Sequence, residues 1–209
     1  MKLIDAHFVT SAADAGGIPH DGIPHIAMVG RSNVGKSSLI NALTRRALAR
    51  TSAAPGKTRL ANLYRADVEG GPGGPGRWSV YLADLPGYGY ARGGADSVVE
   101  LQKIAEAYLS AAQAFRPAGG YIIALVLHLV DARHPGLEAD LEASHWLETL
   151  GVERRVLATK IDKLSRSERA KNLKALERQL GTAALPYSAA SGEGLDDLWT
   201  LISRLSRQQ

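Results

Sequence analysis

The chain contains no cysteine. That excludes disulfide bridges and thiolate metal centres, and it suits a reducing compartment, so a cytoplasmic setting is expected. Long hydrophobic runs are missing too. The longest, Tyr121 to Val130, is interrupted by His128 and is too short to span a bilayer. No basic segment followed by a long apolar stretch opens the chain, so no signal peptide is expected. Neither sign of charge dominates: 25 Lys and Arg stand against 21 Asp and Glu, a net of +4. A mildly basic surface permits contact with nucleic acid or an anionic membrane without requiring either. What is present suffices for one globular domain with its own core: 209 residues, 45% of them hydrophobic.

The most informative stretch is Gly30-Arg31-Ser32-Asn33-Val34-Gly35-Lys36-Ser37, followed by Ser38. It fits the pattern G-x-x-x-x-G-K-[ST]. It sits between an apolar run, Ile26 to Val29, and a helical pattern carrying Leu39, Ile40 and Leu43. A strand, a glycine-rich loop and a helix in that order form a phosphate cradle, in which curled backbone turns N–H groups inward and the helix aims its positive dipole end at the anion. Lys36 would reach the β- and γ-phosphates of a nucleotide, and Ser37 would ligate Mg²⁺.

Residues 1–22 lack clear periodicity and read as a loose lead-in, with His7-Phe8-Val9 pinning it to the body and one nucleotide-binding domain spanning residues 23–209. Leu60, Asn62, Tyr64, Ala66 and Val68 alternate as in a strand, and Gly70 to Gly76 reads as a flexible hairpin tip. Trp78 to Ala83 forms the next strand, and the segment from Tyr88 to Gly94 reads as mobile. Leu101, Ile104, Ala105, Tyr108, Ala112 and Phe115 mark a helix. The continuously apolar run from Tyr121 to Val130 is the pattern of a central parallel strand. Helices and strands then alternate to the last amphipathic helix, on which Leu195, Leu198, Trp199, Ile202 and Leu205 lie inward. This is an α/β chain, expected to form a mostly parallel six-stranded sheet with helices on both faces and its ligand at the carboxyl ends of the strands.

Several motifs fall at such ends. Asp84-Leu85-Pro86-Gly87 closes a strand: Asp84 stands where a carboxylate holds Mg²⁺, directly or through water, and Gly87 would offer its N–H to the γ-phosphate. That contact disappears on hydrolysis, which would make the following segment a switch. In Gly56-Lys57-Thr58-Arg59-Leu60, Thr58 is the candidate second hydroxyl ligand for Mg²⁺, with Thr51 competing for the role. Thr159-Lys160-Ile161-Asp162 selects the base. A fixed carboxylate accepts from both N1–H and the 2-amino group of guanine, a donor pair that adenine lacks. The other reading of Asp162 is a helix cap. The stem of Lys160 would cover the purine, and Ser188-Ala189-Ala190 would give a backbone N–H to the guanine O6.

These five motifs resemble those of translation-factor-related GTPases. More narrowly, His7-Phe8-Val9, the loop from Gly30, Ala49-Arg50-Thr51-Ser52 with Pro55-Gly56-Lys57-Thr58, Asp84-Leu85-Pro86-Gly87-Tyr88-Gly89-Tyr90-Ala91 and Asp131-Ala132-Arg133-His134-Pro135 resemble the EngB family, within the TrmE-Era-EngA-EngB group. The resemblance covers nearly the whole chain, and the departure from it is a Gly70–Gly76 hairpin longer than is usual there. It implies a Ras-like fold, GTP and GDP as substrate and product, Mg²⁺, a role in assembling the large ribosomal subunit through contact with rRNA, and a need for normal cell division and septation.

In Ras-type sites a glutamine after D-x-x-G orients the attacking water; here that position is Tyr88, so slow intrinsic turnover is expected, on the order of 10⁻⁴ per second. Lys36, Asn33 and Thr58 are the candidate catalytic residues. The resemblance extends to potassium-stimulated GTPases with an asparagine at the position of Asn33, whose carbonyl could help to hold K⁺. The basic residues Arg45, Arg46, Arg50, Lys57, Arg59 and Arg92, with Arg204 and Arg207, are candidate rRNA contacts or simply a solvated face. Tyr88 and Tyr90 would belong to a partner surface or pack beneath the switch. A nucleotide-gated binding module at the division site, with hydrolysis secondary, and a P-loop ATPase or kinase are the competing readings. A monomer is expected.

Overall fold

A computed structural model describes residues 1–50, 60–71, 76–88, 103–110 and 123–205. Seven strands lie among the described residues: β1 (Lys2–Ala12), β2 (His25–Gly30), β3 (Ala61–Glu69), β4 (Arg77–Asp84), β5 (Ile123–Asp131), β6 (Arg154–Thr159) and β7 (Ala184–Pro186). The helices are α1 (Lys36–Thr44), α2 (residues 103–110), α3 (Glu138–Thr149), α4 (Arg166–Leu180) and α5 (Leu195–Leu205). The strands form one sheet in the order β1-β3-β4-β2-β5-β6-β7. Its β4-β2-β5-β6-β7 part is parallel; β1 and β3 extend it as antiparallel strands.

The six strands expected from sequence become seven because residues 2–12 are strand rather than lead-in. Their pairing with β3 shifts register between Leu3 and Asp5 and again between Phe8 and Thr10. Each bulge resets which side chain faces inward. Burial along β1 therefore alternates only over residues 2–5 and 9–12, with the phase broken between them, and no sustained period betrays the strand. His7, Phe8 and Val9 are themselves exposed. They join the body through the β-ladder and an edge-on contact between the Phe8 and Tyr64 rings at 5.7 Å.

β2 lies at the centre and every residue of it is buried. Ile26 and Met28 face one layer, packing with Leu39, Ile40 and Leu43 of α1 and Leu198, Trp199 and Ile202 of α5. Ala27 and Val29 face the other, with Ala105, Tyr108 and Leu109 of α2 and Leu147 of α3. A third cluster sets Leu176 and Leu180 of α4 against Val130, Val156 and Ala158. Burial on both faces explains the continuously apolar strands. The hairpin between β3 and β4 is present, closed by a hydrogen bond from the Gly70 N–H to the Gly76 carbonyl at 3.0 Å. Residues 72–75 at its tip lie outside the described residues, as do 89–102 of the switch segment.

Candidate nucleotide-binding site

The loop between β2 and α1 begins where no side chain fits. A Cβ at Gly30 would lie 2.7 Å from the Leu129 carbonyl oxygen and 2.8 Å from Val34 Cγ1. Asn33 (φ 62°) and Gly35 (φ 116°) both have positive φ, and Gly35 is the residue from which α1 departs. Helix α1 carries no side-chain N-cap and no acidic residue in its first turn. The contrast with α4 is informative. There Ser165 and Glu168 form a capping box, so Ser165, not Asp162, caps that helix. The first N–H groups of α1 are left for an external anion.

Lys36 is buried, and its Nζ donates to the carbonyls of Gly30 (3.0 Å) and Arg31 (3.3 Å). Burial pulls its pKa below the ordinary lysine value, while Asp84 pushes it back up. Gly87 lies directly on the loop: a Cβ there would sit 2.7 Å from the Ser32 nitrogen and 2.8 Å from Lys36 Nζ. The Ser32 N–H donates to the Tyr88 carbonyl at 3.1 Å, so the segment after β4 runs alongside the P-loop. Between them, Leu85 and Pro86 are buried, with Leu85 in the core below α2.

Ser37 Oγ donates to Asp84 Oδ2 at 2.6 Å. Asp84 is 2% exposed and its Oδ1 has no hydrogen-bond partner among the described residues, a costly state for a carboxylate oxygen in the interior. Burial raises its pKa; Lys36 and the Ser37 hydroxyl oppose that rise. A hard divalent cation would satisfy the orphaned oxygen, and a carboxylate beside a hydroxyl is the donor set that Mg²⁺ takes together with phosphate oxygens. Thr58, the other expected ligand, and its neighbours Gly56, Lys57 and Arg59 lie outside the described residues; Leu60 is described and is 37% exposed just before β3.

The base-selecting motif reaches back to the loop. Thr159 is buried and its Oγ1 donates to the carbonyls of Val34 (2.9 Å) and Val130 (3.1 Å). Thr159 therefore braces the cradle rather than facing a base. Lys160 adopts a left-handed conformation (φ 59°), and its Nζ donates to the Asn33 carbonyl (2.8 Å) and pairs with Asp131 (3.0 Å). Asp131 also takes two bonds from the Arg133 guanidinium, and these cations hold its carboxyl far below the usual carboxylate range. Ile161 is buried. Asp162 is exposed, and its Oδ1 accepts from the buried Ser188 hydroxyl at 2.7 Å, which lowers its pKa. Ser188 Oγ in turn accepts the N–H groups of Ala190 (3.2 Å) and Ser191 (3.1 Å). The amide of Ala190 thus has an internal partner, and Ser188 positions Asp162.

A family model described as 50S ribosome-binding GTPase matches residues 25–160. The chain is 41% identical over 204 residues to a probable GTP-binding protein EngB of Solibacter usitatus, covering 97% of each chain. It is 40% identical over 209 residues to the same protein of Pelotomaculum thermopropionicum, covering 98% of this chain and 96% of that one. The chain belongs to the EngB family of GTP-binding proteins. It is thereby a GTPase of a family that takes GTP and GDP. Solved structures agree on the fold. Era in complex with MgGDPNP and nucleotides of 16S ribosomal RNA superposes with a TM-score of 0.69 at 24% identity, over 89% of this chain and 57% of that one. A probable GTP-binding protein EngB gives a TM-score of 0.60 at 22% identity, over 88% of this chain and 99% of that one.

Two residues at the EngB-type site carry no motif of their own. His128, in the middle of β5, and Asp140, in the first turn of α3, are both buried and both bond the Tyr88 hydroxyl, at 2.8 and 2.9 Å. The signal for His128 is its interruption of an otherwise apolar strand. Asp140 reads on sequence as one acidic residue among several in a helix start. Tyr88 packs against the core; Tyr90 lies outside the described residues. Among the basic candidates, Arg46 is committed to Asp5 and the Ala6 carbonyl, both at 2.7 Å. Arg45 and Arg50 are exposed, as is Arg204, while Lys57, Arg59, Arg92 and Arg207 lie outside the described residues.

Proposed function

We propose that this chain is a Mg²⁺-dependent GTPase of low intrinsic rate that acts in assembly of the large ribosomal subunit. The observation that carries the nucleotide choice is the Asp162 carboxylate, partly buried on an exposed residue after β6, fixed by Ser188 and paired with Lys163. A carboxylate held in one orientation can accept two parallel hydrogen bonds from guanine, and against adenine it would be left unpaired. The test is Asp162→Asn, which should lose GTP and gain xanthosine triphosphate. Unchanged nucleotide preference overturns the assignment.

Ser37 and Asp84 would hold the metal, with Thr58 as a further candidate. When bound, Mg²⁺ neutralises charge on the phosphate oxygens. The remaining work falls to the chain. Lys36 places its ammonium at the phosphates, the α1 N–H groups receive their oxygens, and Gly87 presents an N–H to the γ-phosphate. Tyr88 has no amide to orient water, and its hydroxyl is held by His128 and Asp140; both facts favour slow turnover. Asn33, bent into a left-handed turn beside the Lys160 contact, is the candidate K⁺ ligand. The rate should rise in K⁺ and not in Na⁺, and equal rates in the two salts would sink the idea.

The family description and the rRNA held by the Era relative support a ribosomal partner. Arg45 and Arg50 are the described cations best placed to meet rRNA phosphates. Co-sedimentation with large subunits in the presence of GTP analogue, GDP or no nucleotide tests this, and binding indifferent to nucleotide argues against it. A cytoplasmic monomer needed for cell division and septation completes the reading. Among the described residues no helix is long and apolar enough to cross a membrane. The alternative, a nucleotide-gated module at the division site, draws on the same absence of a water-orienting side chain at Tyr88; acceleration of turnover by large subunits would exclude it.

A further inference from the structure

Tyr88 is bonded to three parts of the fold. Its carbonyl accepts from Ser32 of the P-loop at 3.1 Å, its hydroxyl meets His128 Nε2 of β5 at 2.8 Å, and it donates to Asp140 Oδ1 of α3 at 2.9 Å. The protonation pattern follows from counting. A phenol has one proton, and here it goes to the carboxylate. The bond to the imidazole must then run from His128 Nε2–H to the phenol oxygen. His128 is fully buried and its Nδ1 has no partner among the described residues, which is compatible with a neutral ring whose proton is on Nε2. Burial holds His128 far below the ordinary histidine range, which keeps it in that neutral form. Arg31 of the P-loop contributes a favourable charge to Asp140.

Gly87 immediately precedes this joint, and its backbone lies against Ser32 and Lys36. A glycine N–H offered to a γ-phosphate would ordinarily have to be ordered when the nucleotide arrives, at an entropic cost. We propose that the His128–Tyr88–Asp140 network pre-positions Gly87 for the γ-phosphate and so makes these three side chains determinants of triphosphate over diphosphate preference. The inference rests on the GTP reading above. It concerns positioning residues: none of the three is placed against the nucleotide.

Tyr88→Phe keeps the ring and removes the hydroxyl. Titration of the full chain with a fluorescent non-hydrolysable GTP analogue and with fluorescent GDP should show analogue affinity falling about tenfold, and GDP affinity changing less than about twofold. His128→Gln, which retains an N–H donor, should keep the wild-type ratio of the two affinities, and His128→Leu should lose it. Asp140→Asn serves where Tyr88→Phe fails to fold, and it should lower the same ratio. Equal loss for both nucleotides would reduce the network to a packing role and overturn the proposal, as would tighter analogue binding in Tyr88→Phe. Absence of GDP binding by the wild-type chain would instead overturn the nucleotide assignment itself.

Discussion

Thr159 Oγ1 donates a hydrogen bond to the carbonyl of Val34, 125 positions earlier in the chain, at 2.9 Å. The base-selecting motif and the phosphate cradle are thus one rigid unit. Lys160 reinforces it from the next position through the Asn33 carbonyl. The two candidate subsites are held together by these bonds within the chain itself. Thr159→Val preserves shape and removes the single hydroxyl proton that the Val34 and Val130 carbonyls share. A loss of about 1–3 kcal/mol in unfolding free energy is expected, measured by urea titration, together with weaker GDP binding. Weaker binding with unchanged stability would mean that Thr159 touches nucleotide after all.

The Asp84 oxygen without a partner makes a separate prediction. Asp84→Asn should erase most of the difference in GDP affinity between Mg²⁺ and EDTA buffers, a difference on the order of tenfold or more for a direct or water-linked metal residue. The variant should keep its fold, because an amide desolvates more cheaply than a carboxylate. Retention of the full Mg²⁺ effect would remove Asp84 from the metal site.

Gly194 lies at the join between the Ser188 turn and α5. It has φ +81°, and a Cβ there would approach the Pro186 carbonyl oxygen to 2.1 Å. Gly194→Ala combines backbone strain with a contact that cannot be relieved by a side-chain rotation. It should cost about 2–4 kcal/mol and also weaken guanine nucleotide binding, since Ser188 N–H bonds to Glu193 O in the same turn. Thermal melts with and without GDP measure both effects.

Acid should weaken the fold through His25. This ring is fully buried at the start of β2, bonded through Nδ1 to the Tyr108 hydroxyl, and burial lowers its pKa to about 4. Asp21 opposes the shift and His20 adds to it. Between the ordinary value of about 6.5 and the folded value, the unfolded chain binds a proton that the folded chain refuses. The stabilisation is therefore complete above about pH 6.5 and is lost as pH falls toward 4, at about 1.4 kcal/mol per pH unit. Asp84 and Asp140, whose pKa values are raised, act in the opposite sense. His25→Phe isolates the histidine. The variant should lose about 2 kcal/mol less than the wild type between pH 7 and pH 5, read from denaturant midpoints. Parallel pH profiles would show that His25 is protonated alike in both states.

The sequence by itself determined the class of fold and which residue types the candidate site would use. Glycines that no other residue can replace, a lysine and hydroxyl at fixed spacing, and a carboxylate after a strand are local requirements, and local requirements are written in consecutive residues. The alternation of apolar strands with amphipathic helices sufficed for a doubly covered sheet. Tertiary structure decided the rest. β1 escaped because two bulges erase its period. Thr159 was expected at the nucleotide with the rest of its motif, and the fold turns its hydroxyl to Val34 and Val130. Arg46 looked like a free cation until β1 brought Asp5 to it. The surroundings of Tyr88 are set by His128 and Asp140, residues 40 and 52 positions away. Such partners leave no pattern along the chain, because their spacing is fixed by the packing of β5 and α3 in the folded body and by nothing in their neighbours.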